Sequence, residues 1–138
     1  MRLTEQSRYA LRVLAYCAER QPALSKVAEI SQATGITEQN IFKLVKVLTK
    51  SGFVATIRGP HGGVRLARPA ETIQVGQVIR AIEPRFKDCG PLGLILSDTP
   101  VSAVERELDA AIGRGIAAFM ATLDQTSIAA LTSRGVAA

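Results

Sequence analysis

The sequence predicts a mainly helical fold with one short β-hairpin. Hydrophobic residues make up 47% of the 138 residues, whereas aromatic residues reach only 4% and Trp is absent, so we expect a core of aliphatic side chains packed between helices. One glycine-rich stretch, RGPHGGVRLARP at residues 58–69, follows one short β-prone run and contains a second, at residues 64–66. A chain of this length can form one domain with a modest core.

Two helices are expected first, over residues 3–19 and 26–33. Apolar residues recur at helical spacing in both segments. Thr4 is the candidate N-cap of the first helix, and Pro22 ends that helix. Ser25 is the candidate N-cap of the second helix.

A third helix is expected over residues 38–51, after a break at Gly35 and with Thr37 as its N-cap. Its apolar arc consists of Ile41, Leu44, Val45 and Leu48. Its opposite arc consists of Gln39, Lys43, Lys46 and Lys50. A cationic arc is often only a solvated surface, but this one contains no acid and follows a short helix and a turn. That order is typical of a helix-turn-helix.

Residues 53–57 and 64–66 lie on either side of the glycine-containing loop 58–63 and predict a hairpin. A nucleotide cradle would require GxxxxGK[ST] or GxGxxG before a helix, and here a strand follows. As a wing, the hairpin would place Arg58, His61 and Arg65 against DNA phosphates or the minor groove. The alternative is a hairpin tip with incidental charge. Three helices followed by a hairpin predict a winged helix-turn-helix domain.

The C-terminal half is expected to carry a dimerisation helix. A short helix over residues 73–82 precedes an irregular loop, and a long helix is expected from Thr99 and Pro100 to about Leu123. The residues expected at a homodimer interface are Val104, Leu108, Ile112, Gly115 and Phe119. The alternative is that this stripe packs on its own domain.

We therefore divide the chain into four parts. Residues 1–83 form the DNA-binding domain, 84–99 a sensor-type loop, 100–131 the dimerisation helix with a short terminal helix, and 132–138 a disordered tail. No signal peptide or transmembrane segment is evident in the sequence, so we expect a cytoplasmic protein.

The distribution of charge predicts a polyanionic partner for the N-terminal half. The net charge is +5, and residues 1–68 hold eleven Lys or Arg against four acids. On the third helix, the side chains expected to read bases are Thr37, Gln39, Asn40 and Lys43. Lys46 and Lys50 lie further along and are expected to contact phosphates. Double-stranded DNA is the expected partner.

Four stretches of the sequence together carry a resemblance to a known family. They are MRLTEQSRYALRVL at the start, the helix-turn-helix over 27–48, RGPHGGVRLARP, and FMATLDQTSIAAL after the long helix. These stretches resemble the Rrf-two family of bacterial winged helix-turn-helix transcription regulators. The family includes nitric-oxide-sensing, iron-responsive and iron-sulfur-cluster regulators. The resemblance implies a homodimeric repressor that binds a roughly palindromic operator and responds to a redox, nitrosative or iron-related signal.

The cysteines depart from the pattern of the sensing members of that family. Those members hold an iron-sulfur cluster with three cysteines in the loop before the long helix, whereas this loop has only Cys89. Arg8 stands where some nitric-oxide sensors have an acidic ligand, so we expect no cluster or other cofactor. Cys17 is expected in the core. Cys89 is an inert loop cysteine, a candidate sensor thiol, or a ligand of a group bridged between subunits.

The sequence does not predict an enzyme. It contains one His, no Ser-His-Asp set and no spacing typical of metal ligands. The alternative to a DNA-binding regulator is a winged-helix protein-interaction module without specific DNA binding.

Overall fold

The structure, a computed structural model, describes residues 3–83 and 102–137. The helices are α1 (Glu5–Glu19), α2 (Val27–Thr34), α3 (Glu38–Lys50), α4 (Val75–Ile82), α5 (Ala103–Leu123) and α6 (Ile128–Ala137). The strands β1 (Val54–Ile57) and β2 (Gly63–Leu66) form one antiparallel pair between α3 and α4. The predicted mainly α, winged helix-turn-helix architecture with a long C-terminal helix is confirmed. None of the helices in the described ranges is long and apolar enough to cross a membrane.

The first three helices begin and end where local chemistry requires it. Thr4 is the N-cap of α1, and Thr37 is the N-cap of α3, where its hydroxyl accepts a hydrogen bond from the Asn40 backbone at 3.3 Å. Gly35 ends α2 with φ +76°, a left-handed conformation that favours glycine. Arg12 of α1 donates a hydrogen bond to the Thr34 carbonyl and so joins α1 to the end of α2. Both predicted threonine caps are confirmed.

The prediction that Ser25 caps α2 is wrong. The N-cap is Lys26, which makes no side-chain capping bond, and the Ser25 hydroxyl is buried without a hydrogen-bond partner among the described residues. The Ser25 backbone pairs with Val64 through two hydrogen bonds of 2.9 and 2.8 Å. Because this pairing holds Ser25 as an extended neighbour of β2, its side chain does not reach the first turn of α2.

The hairpin packs its apolar side against the helices. Val54 lies opposite Leu66 in the register, and Thr56 lies opposite Val64. Val54, Val64 and Leu66 are buried in the same hydrophobic cluster as the core of α1 and α3. The backbone N–H of Phe53 donates to the Leu48 carbonyl at 2.9 Å, which fixes β1 directly to the end of α3.

The C-terminal end of α5 is fastened to α4. The Arg80 guanidinium donates two hydrogen bonds, of 2.7 and 2.8 Å, to the Asp124 carboxylate. The backbone N–H of Val75 donates to the Thr126 carbonyl at 2.8 Å, and that of Ile128 donates to Ile73 at 2.9 Å. Ile128 is fully buried in the main core. The long helix is therefore attached to the winged domain of its own chain.

One boundary in this half differs from the prediction, at the end of α6. The α5 helix begins at Ala103, with the Ser102 hydroxyl accepting a hydrogen bond from the Glu105 backbone at 3.2 Å. The predicted start at Thr99 and Pro100 lies outside the described residues, as does the predicted loop at 84–99. The last helix continues to Ala137, so residues 132–137 are helical where the sequence predicted a disordered tail.

Candidate nucleic-acid interface

Helix α3 presents one apolar face to the core and one basic face to solvent. Ile41, Leu44, Val45 and Leu48 are buried, as predicted. Thr37, Gln39, Lys43, Lys46 and Lys50 are exposed, and Asn40 is half-buried. None of the three lysines pairs with a carboxylate within the described residues. Their charges are therefore not neutralised by this chain and are available to an anionic partner.

The tip of the wing can be built only with glycine at two positions. Gly59 has φ +108°, and its carbonyl accepts a hydrogen bond from the Gly62 backbone at 3.0 Å. A Cβ atom at Gly62 would lie 2.0 Å from the Ile57 carbonyl oxygen. The tight turn leaves Arg58, His61 and Arg65 exposed. The three predicted wing residues thus lie on the surface of the hairpin, on or beside its tip.

Contacts from α2 and α3 hold the wing in place. The Lys26 ammonium donates a hydrogen bond to the Pro60 carbonyl at 2.7 Å, which attaches the tip to the start of α2. The hydroxyls of Thr49 and Thr56 lie 3.2 Å apart and join the last turn of α3 to β1. Helix α3 and the wing therefore form one continuous surface.

Two basic residues of this region make contacts that the sequence did not reveal, and one aromatic residue is unexpectedly exposed. Lys26 and Arg68 both count toward the basic charge. Lys26 fixes the wing tip through its hydrogen bond to the Pro60 carbonyl. The Arg68 guanidinium lies 5.2 Å from the centre of the Phe53 ring and donates a hydrogen bond to the Gln77 side chain at 3.1 Å. Phe42 is 58% exposed on α3. The helical spacing could have identified Phe42, because it falls outside the apolar arc.

Cys17 is not suited to bind a metal or a cluster. It is 1% exposed in the main core, and burial raises the pKa of its thiol to about 11, against a smaller lowering effect of the Arg20 charge. The core packing predicted for Cys17 is confirmed. Cys89 lies outside the described residues, and Arg8 is an exposed cation on α1. A buried, protonated thiol and a guanidinium do not fit the ligand set of an iron-sulfur cluster.

The residues that the structure describes also contain no group of three or more His, Cys, Asp or Glu placed to bind a metal ion.

The stripe predicted for dimerisation divides into two parts. Val104, Leu108 and Ile112 are exposed, at 77%, 55% and 47%. Phe119 is half-buried and packs in the small cluster that Val75, Ile79 and Met120 form between α4 and α5. Gly115 is exposed, and a Cβ atom there would meet nothing within 4 Å. The C-terminal part of α5 is therefore covered by its own chain, while the N-terminal part carries an uncovered apolar row.

Comparisons with known proteins agree with this architecture. The family model of Rrf2, described as an iron-dependent transcriptional regulator, matches residues 3–134. Protein aau3 of Rhizobium meliloti (strain 1021) is 40% identical over 130 residues, which cover 93% of this chain and 82% of that protein.

Solved structures of regulators are similar over nearly the whole chain. CymR, the global cysteine regulator of B. subtilis, has a TM-score of 0.75 at 25% identity and covers 97% of this chain and 98% of its own. IscR of T. potens has a TM-score of 0.74 at 23% identity, and the match covers 98% of this chain and 88% of the IscR chain. At this identity the similarity shows only that the fold is shared. The wing, the basic helix and the family match over residues 3–134 lead to one conclusion: the chain belongs to the Rrf2 (Rrf-two) family of transcriptional regulators.

Proposed function

We propose that this protein is a cytoplasmic, homodimeric repressor that binds a specific, roughly palindromic DNA operator. The observation that carries the proposal is the basic face of α3, whose lysines are unpaired within the described residues and lie beside a fixed wing. A charged face of this kind attracts the DNA backbone, and an α-helix fits the width of the major groove.

The two ends of α3 are suited to different contacts. The first turns of a recognition helix meet base edges, which assigns base reading to Thr37, Gln39, Asn40 and Lys43. Gln and Asn can each pair with adenine through two hydrogen bonds, and Lys can contact guanine. The residues assigned to the DNA backbone are Lys46 and Lys50 on α3 and Arg58, His61 and Arg65 on the wing.

A second copy of the chain is the proposed cover for the N-terminal part of α5. Helix α5 spans about 31 Å at 1.5 Å per residue. Its exposed row of Val104, Leu108 and Ile112 follows the i, i+4, i+8 ridge by which helices pack against one another. Gly115 would allow close approach of the partner helix, whereas Phe119 contributes through its own domain. A two-fold dimer would place two recognition helices on a palindromic site.

The proposed signal is redox, nitrosative or iron-related. We propose that the protein senses it without the iron-sulfur cluster of the sensing family members. The chain has two cysteines, and the buried Cys17 is unsuited as a ligand. Cys89 is thus the candidate sensor thiol.

Protein purified without oxygen should lack visible iron-sulfur absorbance and stoichiometric iron. Cys89→Ser should remove the effect of an oxidant on DNA release, and an unchanged response would exclude the thiol as sensor.

Salt-dependent DNA binding tests the central proposal. Wild-type protein should select related sequences from genomic fragments, and the slope of log K against log[salt] should report the phosphates contacted. Lys46→Ala should reduce that slope by about one for each recognition helix, whereas Gln39→Ala should relax sequence preference. Arg114→Ala is the matched control, because it removes the same charge from exposed α5. Weak, nonspecific binding unaffected by Gln39→Ala would favour a protein-interaction module.

A further inference from the structure

Phe42 is a large apolar side chain at the edge of the basic face of α3. It is 58% exposed and belongs to neither hydrophobic cluster of the described residues. Gln39 lies three residues before it and Lys46 four residues after it, so both are its neighbours on the helix surface. All three side chains are exposed. The aromatic ring is therefore placed among groups assigned to DNA and contributes little to the packing of the domain.

An aromatic ring cannot pair with phosphate, so its contact on DNA must be of a different kind from that of the lysines. The major groove offers one prominent apolar feature, the C5-methyl group of thymine, and Phe is among the side chains that contact it. We propose that Phe42 is a specificity-determining residue that packs its ring on a thymine methyl group in each half-site. This inference rests on the proposed DNA-binding function.

The helix geometry also limits how far the thymine can lie from the base pair that Gln39 contacts. Side chains three residues apart on a helix have Cβ atoms about 5–6 Å apart, whereas successive base pairs are about 3.4 Å apart. Phe42 and Gln39 therefore reach base pairs that lie within about two steps of each other. If Gln39 pairs with an adenine, the thymine that Phe42 contacts lies in the same base pair or in one of its close neighbours.

Removal of single methyl groups from the DNA tests the inference. A duplex selected by the wild-type protein from a random-sequence pool is remade with each thymine replaced in turn by deoxyuridine. For the wild type, one such replacement per half-site should weaken binding about fourfold, as expected for one buried methyl group. That position should lie within about two base pairs of the one at which Gln39→Ala relaxes preference.

The variants separate a direct contact from a general loss of affinity. Phe42→Ala should bind more weakly than the wild type and should no longer distinguish thymine from deoxyuridine at that position, because the two changes remove the same contact. Phe42→Leu should keep part of the methyl effect. Lys46→Ala is the control: it should bind all duplexes more weakly and retain the full fourfold methyl effect. Circular dichroism melting of each variant checks that the fold is kept.

The outcomes distinguish the two proposals. Failure to enrich any sequence from the pool would overturn the proposed function, and this inference with it. Enrichment of a site in which no thymine methyl matters, or in which Phe42→Ala keeps the full methyl effect, would overturn the role of Phe42 alone.

Discussion

At the scale of single residues, Gly62 decides whether the wing can close. A Cβ atom at this position would lie 2.0 Å from the Ile57 carbonyl oxygen and 2.8 Å from the Arg58 carbonyl carbon. Both of these are backbone atoms, so the clash cannot be relieved by rotation of a side chain. The conformation of the tip therefore depends on the absence of a single carbon atom.

We expect Gly62→Ala to lower the free energy of unfolding by about 1–3 kcal/mol, the usual cost of overpacking, and to weaken DNA binding. Urea denaturation and DNA titration measure the two effects. Arg58→Ala is the comparison, because it removes an exposed charge without changing the turn, and it should weaken DNA binding with little change in stability. Equal stability of Gly62→Ala and the wild type would contradict the close contact at the tip.

The buried environment of Cys17 determines the reactivity of its thiol. With burial raising the pKa of its thiol to about 11, it should be protonated and shielded near pH 8. Iodoacetamide should therefore fail to label Cys17 in the folded protein and should label it in urea, as peptide mass spectrometry would show. Equal labelling rates in the two states would contradict a buried thiol.

At the scale of elements, the Arg80–Asp124 pair holds α5 to α4. The hydrogen bonds that Arg80 donates to Asp124 lower the pKa of the Asp124 carboxyl, and the same bonds raise the pKa of Arg80. Because the carboxyl has a lower pKa in the folded than in the unfolded chain, the pair stabilises the fold above the ordinary pKa of Asp, 3.8. This contribution is lost as the pH falls below that value through the lowered pKa.

Asp124→Asn should therefore be less stable than the wild type at pH 7, and the difference should shrink at pH 3. Water screens this partly exposed pair, so the loss at pH 7 should reach at most about 1 kcal/mol. Urea denaturation of both proteins at the two pH values measures it. A difference that stays constant between pH 7 and pH 3 would show that the charge of Asp124 is not involved.

The elements also show which parts of the fold a sequence can predict. The caps Thr4 and Thr37 were predictable because each acts on a backbone group three residues away. Ser25 has the same local chemistry, yet its position is set by pairing with Val64, far along the chain. Likewise, α6 continues to Ala137 and begins at Ile128, which is buried in the core formed by distant parts of the chain.

The sequence likewise predicts some parts of the candidate interface and not others. The basic arc of α3 follows from helical periodicity and was predictable. The role of Lys26 was not, because it depends on a carbonyl at Pro60 that only the folded hairpin brings within 2.7 Å. Phe42 was predictable in position, but its exposure depends on where the other elements leave α3 uncovered.

At the scale of the whole molecule, the uncovered part of α5 predicts a dimer-dependent activity. Leu108→Glu should place a charge in the apolar row and yield a monomer, as light scattering after gel filtration would show. Loss of the second recognition helix should weaken operator binding by about 100-fold or more. Arg114→Ala, on the same helix, should remain dimeric. A Leu108→Glu protein that stays dimeric would place the dimer contact elsewhere.

The attachment of the wing has a thermodynamic consequence for the whole molecule. The Lys26–Pro60 bond and the Ser25–Val64 pairing already order the hairpin in the free protein. A partner that binds α3 and the wing together does not have to order the hairpin, so binding avoids the conformational-entropy cost of ordering it. We therefore expect Lys26 to contribute to the proposed DNA affinity by removing alternative conformations of the unbound wing.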